Sequence, residues 1–185
     1  NAIFHTDAVQ AVGNIKIDVK EMGIDLLSMS AHKFYGPKGV GALYVRDSID
    51  FIQLQNGGHQ ENDKRAGTEN VAGIVGLGKA IEMANGNVRQ NNEKLLNLRN
   101  YCIEQIKNRI PYIRINGDLN SRLPGNINIS FLYVNGKDLV KLLAKKGICT
   151  SSGSACSSGL PRPSHVLLAM GLSEDIASSA LRITL

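Results

Sequence analysis

The stretch SAHKFYGPKG, residues 30–39, joins two short apolar segments, residues 24–30 and 40–45. Both segments are too short for helices, and the turn between them is rich in glycine and proline. We therefore predict two buried strands of a sheet that is covered on both faces. Lys33 comes directly after the first strand, so its amine is expected at the edge of this sheet.

A lysine amine is a nucleophile near neutral pH only when desolvation or neighbouring cations favour its uncharged form. The buried strand before Lys33 is expected to supply the desolvation. The alternative interpretation is an ordinary surface lysine, and position alone favours that alternative.

Asp7 and Gln10 follow an apolar stretch at residues 2–4. A carboxylate at the C-terminal end of a strand faces the crevice where α/β sheets bind ligands. Asp7 could there pair with the pyridinium nitrogen of a cofactor. A helix N-cap is the equally good alternative on local grounds.

The polar loop at residues 56–67 leads to Thr68, which we predict to cap a helix. An anion would be favoured at such a helix start, although a plain threonine cap explains the residue equally well. A second helix is expected to follow and to end before Pro111. Strands at residues 112–116 and 126–133 and a helix at 137–146 predict an α+β arrangement for the remainder. Ile127, Ile129 and Phe131 are expected on one face of the second of these strands.

Composition limits the classes of function. The 21 basic and 16 acidic residues give a net charge of +5, without a basic run, so nucleic-acid binding is not expected. No stretch has the roughly 18 consecutive apolar residues that a membrane span needs. The three cysteines do not form a Cys-x-x-Cys pair, which suggests a reducing compartment, and we expect the cytoplasm. Both ends of the chain resemble interrupted strands, so we expect a piece of a longer polypeptide.

Two further residues could carry chemistry. Cys156 lies in a run of small polar residues, 150–159, that is expected to be mobile, so its thiol could visit more than one site. An ordinary thiol is only about 3% ionised at pH 7 and needs activation. Arg182, in a predicted strand near the end of the chain, could offer a bidentate fork to a carboxylate, or be a surface arginine. Cys102 and Cys149 are expected to be structural.

Four motifs occur in a characteristic order: FHTDAVQ at residues 4–10, SAHKFYGPKG at 30–39, RAGTEN at 65–70 and SSGSAC at 151–156. In these motifs the chain resembles the cysteine desulfurases of iron-sulfur cluster assembly, over essentially all 185 residues. The resemblance implies an α/β enzyme of the pyridoxal 5'-phosphate (PLP)-dependent transferase class, fold type I. Residues 1–87 would belong to the PLP-binding large domain, with a mainly parallel sheet. Residues 88–185 would form an α+β small domain that carries the cysteine loop.

The resemblance also implies roles for residues around the cofactor. Lys33 would bind PLP covalently, Asp7 would pair with the pyridine nitrogen, and Gln10 would bond the phenolic oxygen. Ser30 and His32 would hold the phosphate, and His32 would also belong to the catalytic group with Lys33.

Three more residues receive roles in the same way. Thr68 would reach the phosphate in the neighbouring subunit, which implies an obligate homodimer. Arg182 would bind the carboxylate of L-cysteine. Cys156 would take the sulfur as a persulfide, leave L-alanine, and deliver the sulfur to an iron-sulfur scaffold or another acceptor protein. A transient [2Fe-2S] cluster shared with the scaffold could contact Cys156.

Some alternatives stay open at this point. A class V aminotransferase or selenocysteine lyase would share Lys33 and Asp7 without needing Cys156, and a non-catalytic piece could only dock a scaffold. The family's N-terminal half is absent from residues 1–185, so these residues by themselves are expected to be inactive.

Overall fold

The computed structural model describes residues 2–153 and 163–185. The chain divides into two compact units, Asn1–Asn91 and Asn92–Leu185. The elements in the first part of the chain are β1 (His5–Asp7), β2 (Leu26–Ser30), a 3₁₀ turn (Ala31–Phe34), β3 (Gly41–Val45), α1 (Gln60–Asp63) and α2 (Val71–Arg109). They are followed by β4 (Ile113–Ile115), β5 (Asn126–Phe131), α3 (Gly136–Ala144), α4 (His165–Ala169), α5 (Glu174–Ser178) and β6 (Ala180–Thr184).

The first unit contains a three-stranded sheet in the order β1-β2-β3. β1 is parallel to β2, whereas β2 and β3 are antiparallel, so the described part of the sheet is mixed. The strands predicted at residues 24–30 and 40–45 are both present, with slightly shorter bounds. The prediction that both are buried is wrong for β3, whose residues are exposed or half-buried among the described residues. Leu27, at 2% exposure, anchors β2 in an apolar cluster.

Helix α2 closes the other side of that cluster. Leu77, Ala80, Ile81 and Ala84 pack against the buried residues of β2 and the 3₁₀ turn. The small side chains allow close approach of helix and turn: a Cβ at Gly36 would lie 2.8 Å from the Cβ of Ala31 and 3.1 Å from that of Ala80. The turn that carries Lys33 therefore rests directly on the core of this unit.

The prediction of two helices after Thr68 is wrong, because a single helix runs from Val71 to Arg109. No proline interrupts this run, and the cost of an interior glycine such as Gly86, about 1 kcal/mol, does not break it. Among the described residues, no helix is both long and apolar enough to cross a membrane.

The predicted cap at Thr68 is also wrong. The side-chain oxygen of Asn70 accepts a hydrogen bond from the N–H of Gly73 at 3.1 Å, and the Asn70 carbonyl receives the first helical bond, from Ile74. Asn70 is therefore the N-cap of α2, and Thr68 precedes the helix.

The second unit contains an antiparallel sheet in the order β4-β5-β6. Ile127 and Ile129 are fully buried, and Phe131 packs in the same cluster, which confirms that alternate residues of β5 share one face. The two compact units divide between Asn91 and Asn92, within α2. The domain boundary predicted at 87/88 lies in the same helix and stays a prediction.

Candidate functional site

Lys33 lies on the 3₁₀ turn that follows β2. Ala31 and Phe34 are buried, whereas His32 and Lys33 between them are exposed. In a 3₁₀ turn residues three apart lie on the same face, so the two apolar residues anchor the turn and the two polar ones face outward. Tyr35 then adopts left-handed backbone, with φ of 67°, and the Gly36 N–H closes the turn on the Ala31 carbonyl.

The exposure of Lys33 corrects one expectation. The strand before it was expected to remove the amine from water, but the described residues leave the side chain exposed. The turn fixes the position of Lys33 without desolvating it.

Ser30 and His32 form a polar pair beside Lys33. The Oγ of Ser30 lies 2.8 Å from the Nδ1 of His32, close enough for a hydrogen bond. Since Ser30 ends β2 and His32 lies on the turn, this bond orients the imidazole at the C-terminal end of the strand.

Asp7 lies at the same edge of the sheet. It ends β1, which is parallel to β2, and is in register with Ser28. The carboxyl ends of neighbouring parallel strands meet at one edge, which is where α/β sheets bind ligands. The structure thus brings Asp7 to the sheet edge from which the Ser30–His32 pair and Lys33 emerge.

The side chain of Asp7 also serves the chain locally. Its Oδ1 accepts a hydrogen bond from the Val9 N–H at 3.0 Å, as in an Asx turn, but no helix begins there, so the helix N-cap considered from the sequence is wrong. The segment after it forms turns rather than a regular helix, with the Val12 N–H bonded to the Ala8 carbonyl. Gln10 is exposed on these turns.

Sequence reasoning assigned no role to His5. Its Nε2 lies 2.8 Å from the Oγ of Ser28, across the β1-β2 pair. His5 and Asp7 are two residues apart in one strand and therefore share a face of the sheet. This alternation was the signal that could have placed His5 with Asp7.

Thr68 is exposed and follows a loop that is closed by its own hydrogen bonds. Oε1 of Gln60 accepts from the Gly67 N–H at 3.0 Å, and the Ala66 N–H bonds to the Gln55 carbonyl at 3.3 Å. No sequence pattern predicts a role for Gln60, and only the structure reveals this contact.

Arg182 belongs to the second unit. It lies in β6, where its backbone also bonds Ser151 in an isolated bridge, the N–H to the Ser151 carbonyl at 2.5 Å and the carbonyl to the Ser151 N–H at 3.0 Å. The side chain is half-buried, and its Nε is buried without a hydrogen-bond partner among the described residues. An unmade hydrogen bond of a buried donor costs free energy.

The cysteines differ in their surroundings. Cys102 is partly buried beside the Ile127–Ile129 cluster, and burial raises the pKa of its thiol. Cys149 is exposed, so the expectation that it is structural is wrong. Cys156, the predicted nucleophile and cluster contact, lies outside the described residues.

Within the described ranges, no group of three or more His, Cys, Asp or Glu side chains could hold a metal ion.

The profile of the aminotransferase class-V family matches residues 1–185, the whole of the chain. The chain belongs to the class V aminotransferase family. This class V chain is 56% identical over 187 residues to a protein of Clostridium botulinum named cysteine desulfurase IscS, an alignment that covers 100% of the chain and 47% of that relative. A protein of the same name from Dictyoglomus turgidum is 53% identical over 182 residues, covering 98% of the chain and 46% of the relative.

Solved structures agree with this membership. A NifS-like protein matches with a TM-score of 0.87 at 37% identity, over 99% of this class V chain and 47% of its own chain. SspA, solved in complex with cysteine, matches with a TM-score of 0.74 at 39% identity, over 99% and 50%. The fold is therefore that of the fold type I, PLP-dependent enzymes, and the chain spans about half the length of the relatives it matches.

PLP is the cofactor of class V aminotransferases. The donor set at the edge of the first sheet fits this cofactor chemically. Asp7 offers a carboxylate for a protonated ring nitrogen, Lys33 an amine for the aldehyde, and the Ser30–His32 pair donors for a phosphate.

Proposed function

We propose that this chain is part of a PLP-dependent cysteine desulfurase that converts L-cysteine to L-alanine and transfers the sulfur to Cys156 as a persulfide. The observation that carries the proposal is the grouping of an acid, a hydroxyl–imidazole pair and an amine at one edge of the first sheet: Asp7, Ser30 with His32, and Lys33. The names of relatives more than 50% identical to the chain support the choice of reaction.

In this proposal the first unit holds the cofactor. Lys33 binds PLP covalently, Asp7 keeps the ring nitrogen protonated, and Gln10 bonds the phenolic oxygen. Ser30 and His32 bind the phosphate, and the 2.8 Å bond between them fixes the direction of the imidazole. When bound, PLP supplies an electron sink for electrons released from the substrate's α-carbon.

Arg182 binds the substrate carboxylate. Its buried Nε has no partner among the described residues, and an unmade hydrogen bond of a charged group is costly. The carboxylate of L-cysteine would bond the guanidinium group and orient the α-carbon. Arginine suits this task because its planar fork can bond both carboxylate oxygens.

The protons and the sulfur move between groups of this chain and the substrate. Lys33, once free of the cofactor, accepts the α-proton at Nζ, and His32 belongs to the same catalytic group. The substrate's carbon–sulfur bond breaks, a sulfur–sulfur bond forms at the Sγ of Cys156, and hydrogen replaces sulfur on the carbon to give L-alanine. The products therefore balance without an added oxidant or reductant.

The proposed enzyme is a homodimer in which Thr68 reaches the phosphate bound by the partner subunit. Ile52 and Leu54, 97% and 96% exposed shortly before this loop, would lie against the second subunit in this proposal.

Cys156 would deliver its sulfur to an iron-sulfur scaffold or another acceptor protein, where a [2Fe-2S] cluster could contact it transiently. We propose the cytoplasm as the compartment, because an exposed free thiol such as Cys149 suits reducing conditions.

The full-length protein tests this function. We expect it to be yellow with bound PLP, and Lys33→Ala to lose the colour, whereas Lys38→Ala, which removes an exposed lysine of the same turn, keeps it. Cys156→Ser should keep the colour and lose release of sulfide from L-cysteine. A colourless wild-type protein would contradict the proposal, and undiminished sulfide release by Cys156→Ser would favour a class V aminotransferase or selenocysteine lyase.

A further inference from the structure

The loop before Thr68 is built around the side-chain amide of Gln60. Its Oε1 accepts a hydrogen bond from the N–H of Gly67, seven residues further on, at 3.0 Å. A Cβ at Gly58 would lie 2.6 Å from the same Oε1, so glycine there leaves room for the amide. The loop thus reserves space for one specific contact between Gln60 and Gly67.

Arg65 binds two carbonyl groups of the same loop, at Ala66 and Gly67. Its Nη1 donates to the Gly67 carbonyl at 2.7 Å and to the Ala66 carbonyl at 3.2 Å. Gly67 therefore has its N–H bonded to one side chain and its carbonyl to another. Since the Gly67 carbonyl belongs to the peptide that joins Gly67 to Thr68, these bonds determine the direction in which Thr68 leaves the loop.

The short element α1, Gln60–Asp63, is a strained turn rather than a regular helix. Glu61, Asn62 and Asp63 have φ of 52°, 55° and 62°, the left-handed region that residues other than glycine rarely adopt. Such backbone persists where surrounding contacts determine it, and it is frequent at functional sites. Here the turn is spanned by a bond from His59 to Asp63, with 2.5 Å between Nδ1 and Oδ1.

Gly67 itself has φ of +103°, which few side chains tolerate, and a Cβ there would lie 3.3 Å from the Nη1 of Arg65. Gly67 therefore follows a strained turn and is bonded by two side chains, those of Gln60 and Arg65. The residue that follows it is Thr68.

We propose that Gln60 and Arg65 are positioning residues for Thr68: they fix the Gly67–Thr68 peptide so that the Thr68 hydroxyl is presented to the phosphate of PLP. This inference rests on the proposed function, because the role of Thr68 is part of it. Neither Gln60 nor Arg65 needs to touch the cofactor, since both act through Gly67.

The test separates positioning from general stability by comparing two ligands in the full-length dimer. PLP carries the phosphate that Thr68 would bind, and pyridoxal lacks it. We expect Gln60→Leu to raise the Kd for PLP about 10-fold, the effect of losing one hydrogen bond to a charged group, and to leave the Kd for pyridoxal unchanged. Gln60→Glu keeps an acceptor oxygen for the Gly67 N–H and should bind PLP as the wild type does.

A double variant gives the second criterion. If Gln60 acts through Thr68, Gln60→Leu combined with Thr68→Ala should bind PLP no more weakly than Thr68→Ala alone. Additive losses, or an equal loss for PLP and pyridoxal, would overturn the inference. If Thr68→Ala weakens PLP binding and Gln60→Leu does not, the inference fails while the proposed function stands; if Thr68→Ala has no effect, the proposed role of Thr68 fails first.

Hydrogen exchange in the cofactor-free protein gives a readout that is independent of the ligand. The peptide spanning residues 64–70 should exchange faster in Gln60→Leu than in wild type, because the Gly67 N–H loses its acceptor, and Gln60→Glu should restore the slow exchange. Arg65→Lys offers a milder change should Gln60→Leu fail to form the dimer, with the same expected loss of preference for PLP over pyridoxal. Unchanged exchange and unchanged preference would overturn the proposal.

Discussion

Pro37 packs against Gly76 so closely that a Cβ on Gly76 would lie 2.5 Å from the Cγ of the proline ring. Pro37 follows the turn that carries Lys33, and Gly76 lies in the first part of α2. The absence of a side chain at one helix position thus sets the distance between the helix and the candidate cofactor turn.

This contact predicts opposite effects for two glycines of the same helix. Gly76→Ala should lower the free energy of unfolding by about 1–3 kcal/mol, because the rigid proline ring cannot yield to the added methyl group. Gly78→Ala meets nothing within 4 Å and should gain up to about 1 kcal/mol from helix propensity. Chemical denaturation of the cofactor-free protein measures both, and equal stabilisation by the two changes would contradict the contact.

The cap of α2 gives a second pair of variants. Asn70→Ala should cost about 1 kcal/mol of unfolding free energy, since the Gly73 N–H loses its side-chain acceptor. Thr68→Ala should leave the cofactor-free protein within about 0.5 kcal/mol of wild type, because Thr68 precedes the helix. If Thr68→Ala lowered the free energy of unfolding more than Asn70→Ala does, Thr68 and not Asn70 would be the N-cap.

Arg182→Lys tests the substrate contact. We expect the KM for L-cysteine to rise about 10-fold or more, because lysine keeps the charge but loses the planar fork that bonds both carboxylate oxygens. Arg114→Lys is the matched control, since Arg114 is exposed on β4 of the same sheet. Steady-state assays of alanine formation measure both variants, and a KM equal to that of wild type in Arg182→Lys would argue against the proposed role.

The two described cysteines should differ in their rate of alkylation. Burial raises the pKa of Cys102, so at pH 8 a smaller fraction is thiolate, the reactive form, and access is restricted as well. Cys149 is exposed and should react first with iodoacetamide in a Cys156→Ser background, as followed by peptide mass spectrometry. Raising the pH should accelerate labelling of Cys102, and urea should remove the difference. Equal rates in the folded protein would contradict the structure.

Sequence patterns predicted the strands around Lys33 because short apolar runs beside a Gly/Pro turn have few other solutions. They also identified the buried face of β5 from the alternation at Ile127 and Ile129. They failed at Thr68 because two candidate caps, Thr68 and Asn70, lie two residues apart, and only the chain's path decides which one reaches a free N–H.

The contacts of Gln60 and His5 could not be predicted because they depend on tertiary geometry. The bond from Gln60 to Gly67 requires three successive residues in left-handed backbone, of which none is glycine. The pair formed by His5 and Ser28 depends on the register between β1 and β2, which neither strand specifies alone. Local patterns identify elements, whereas register and strained turns are decided when the elements pack.

The seam of small residues between the Lys33 turn and α2 has a consequence for genetic screens. Ala31, Gly36 and Ala80 meet with no space to spare, so a larger residue at Ala80 would displace the turn rather than fill a gap. Strains with changes at this helix position should therefore resemble cofactor-site mutants, with growth that improves when the precursor vitamin is supplied. Mutations that impair growth would then include changes in α2, a helix that holds none of the proposed site residues.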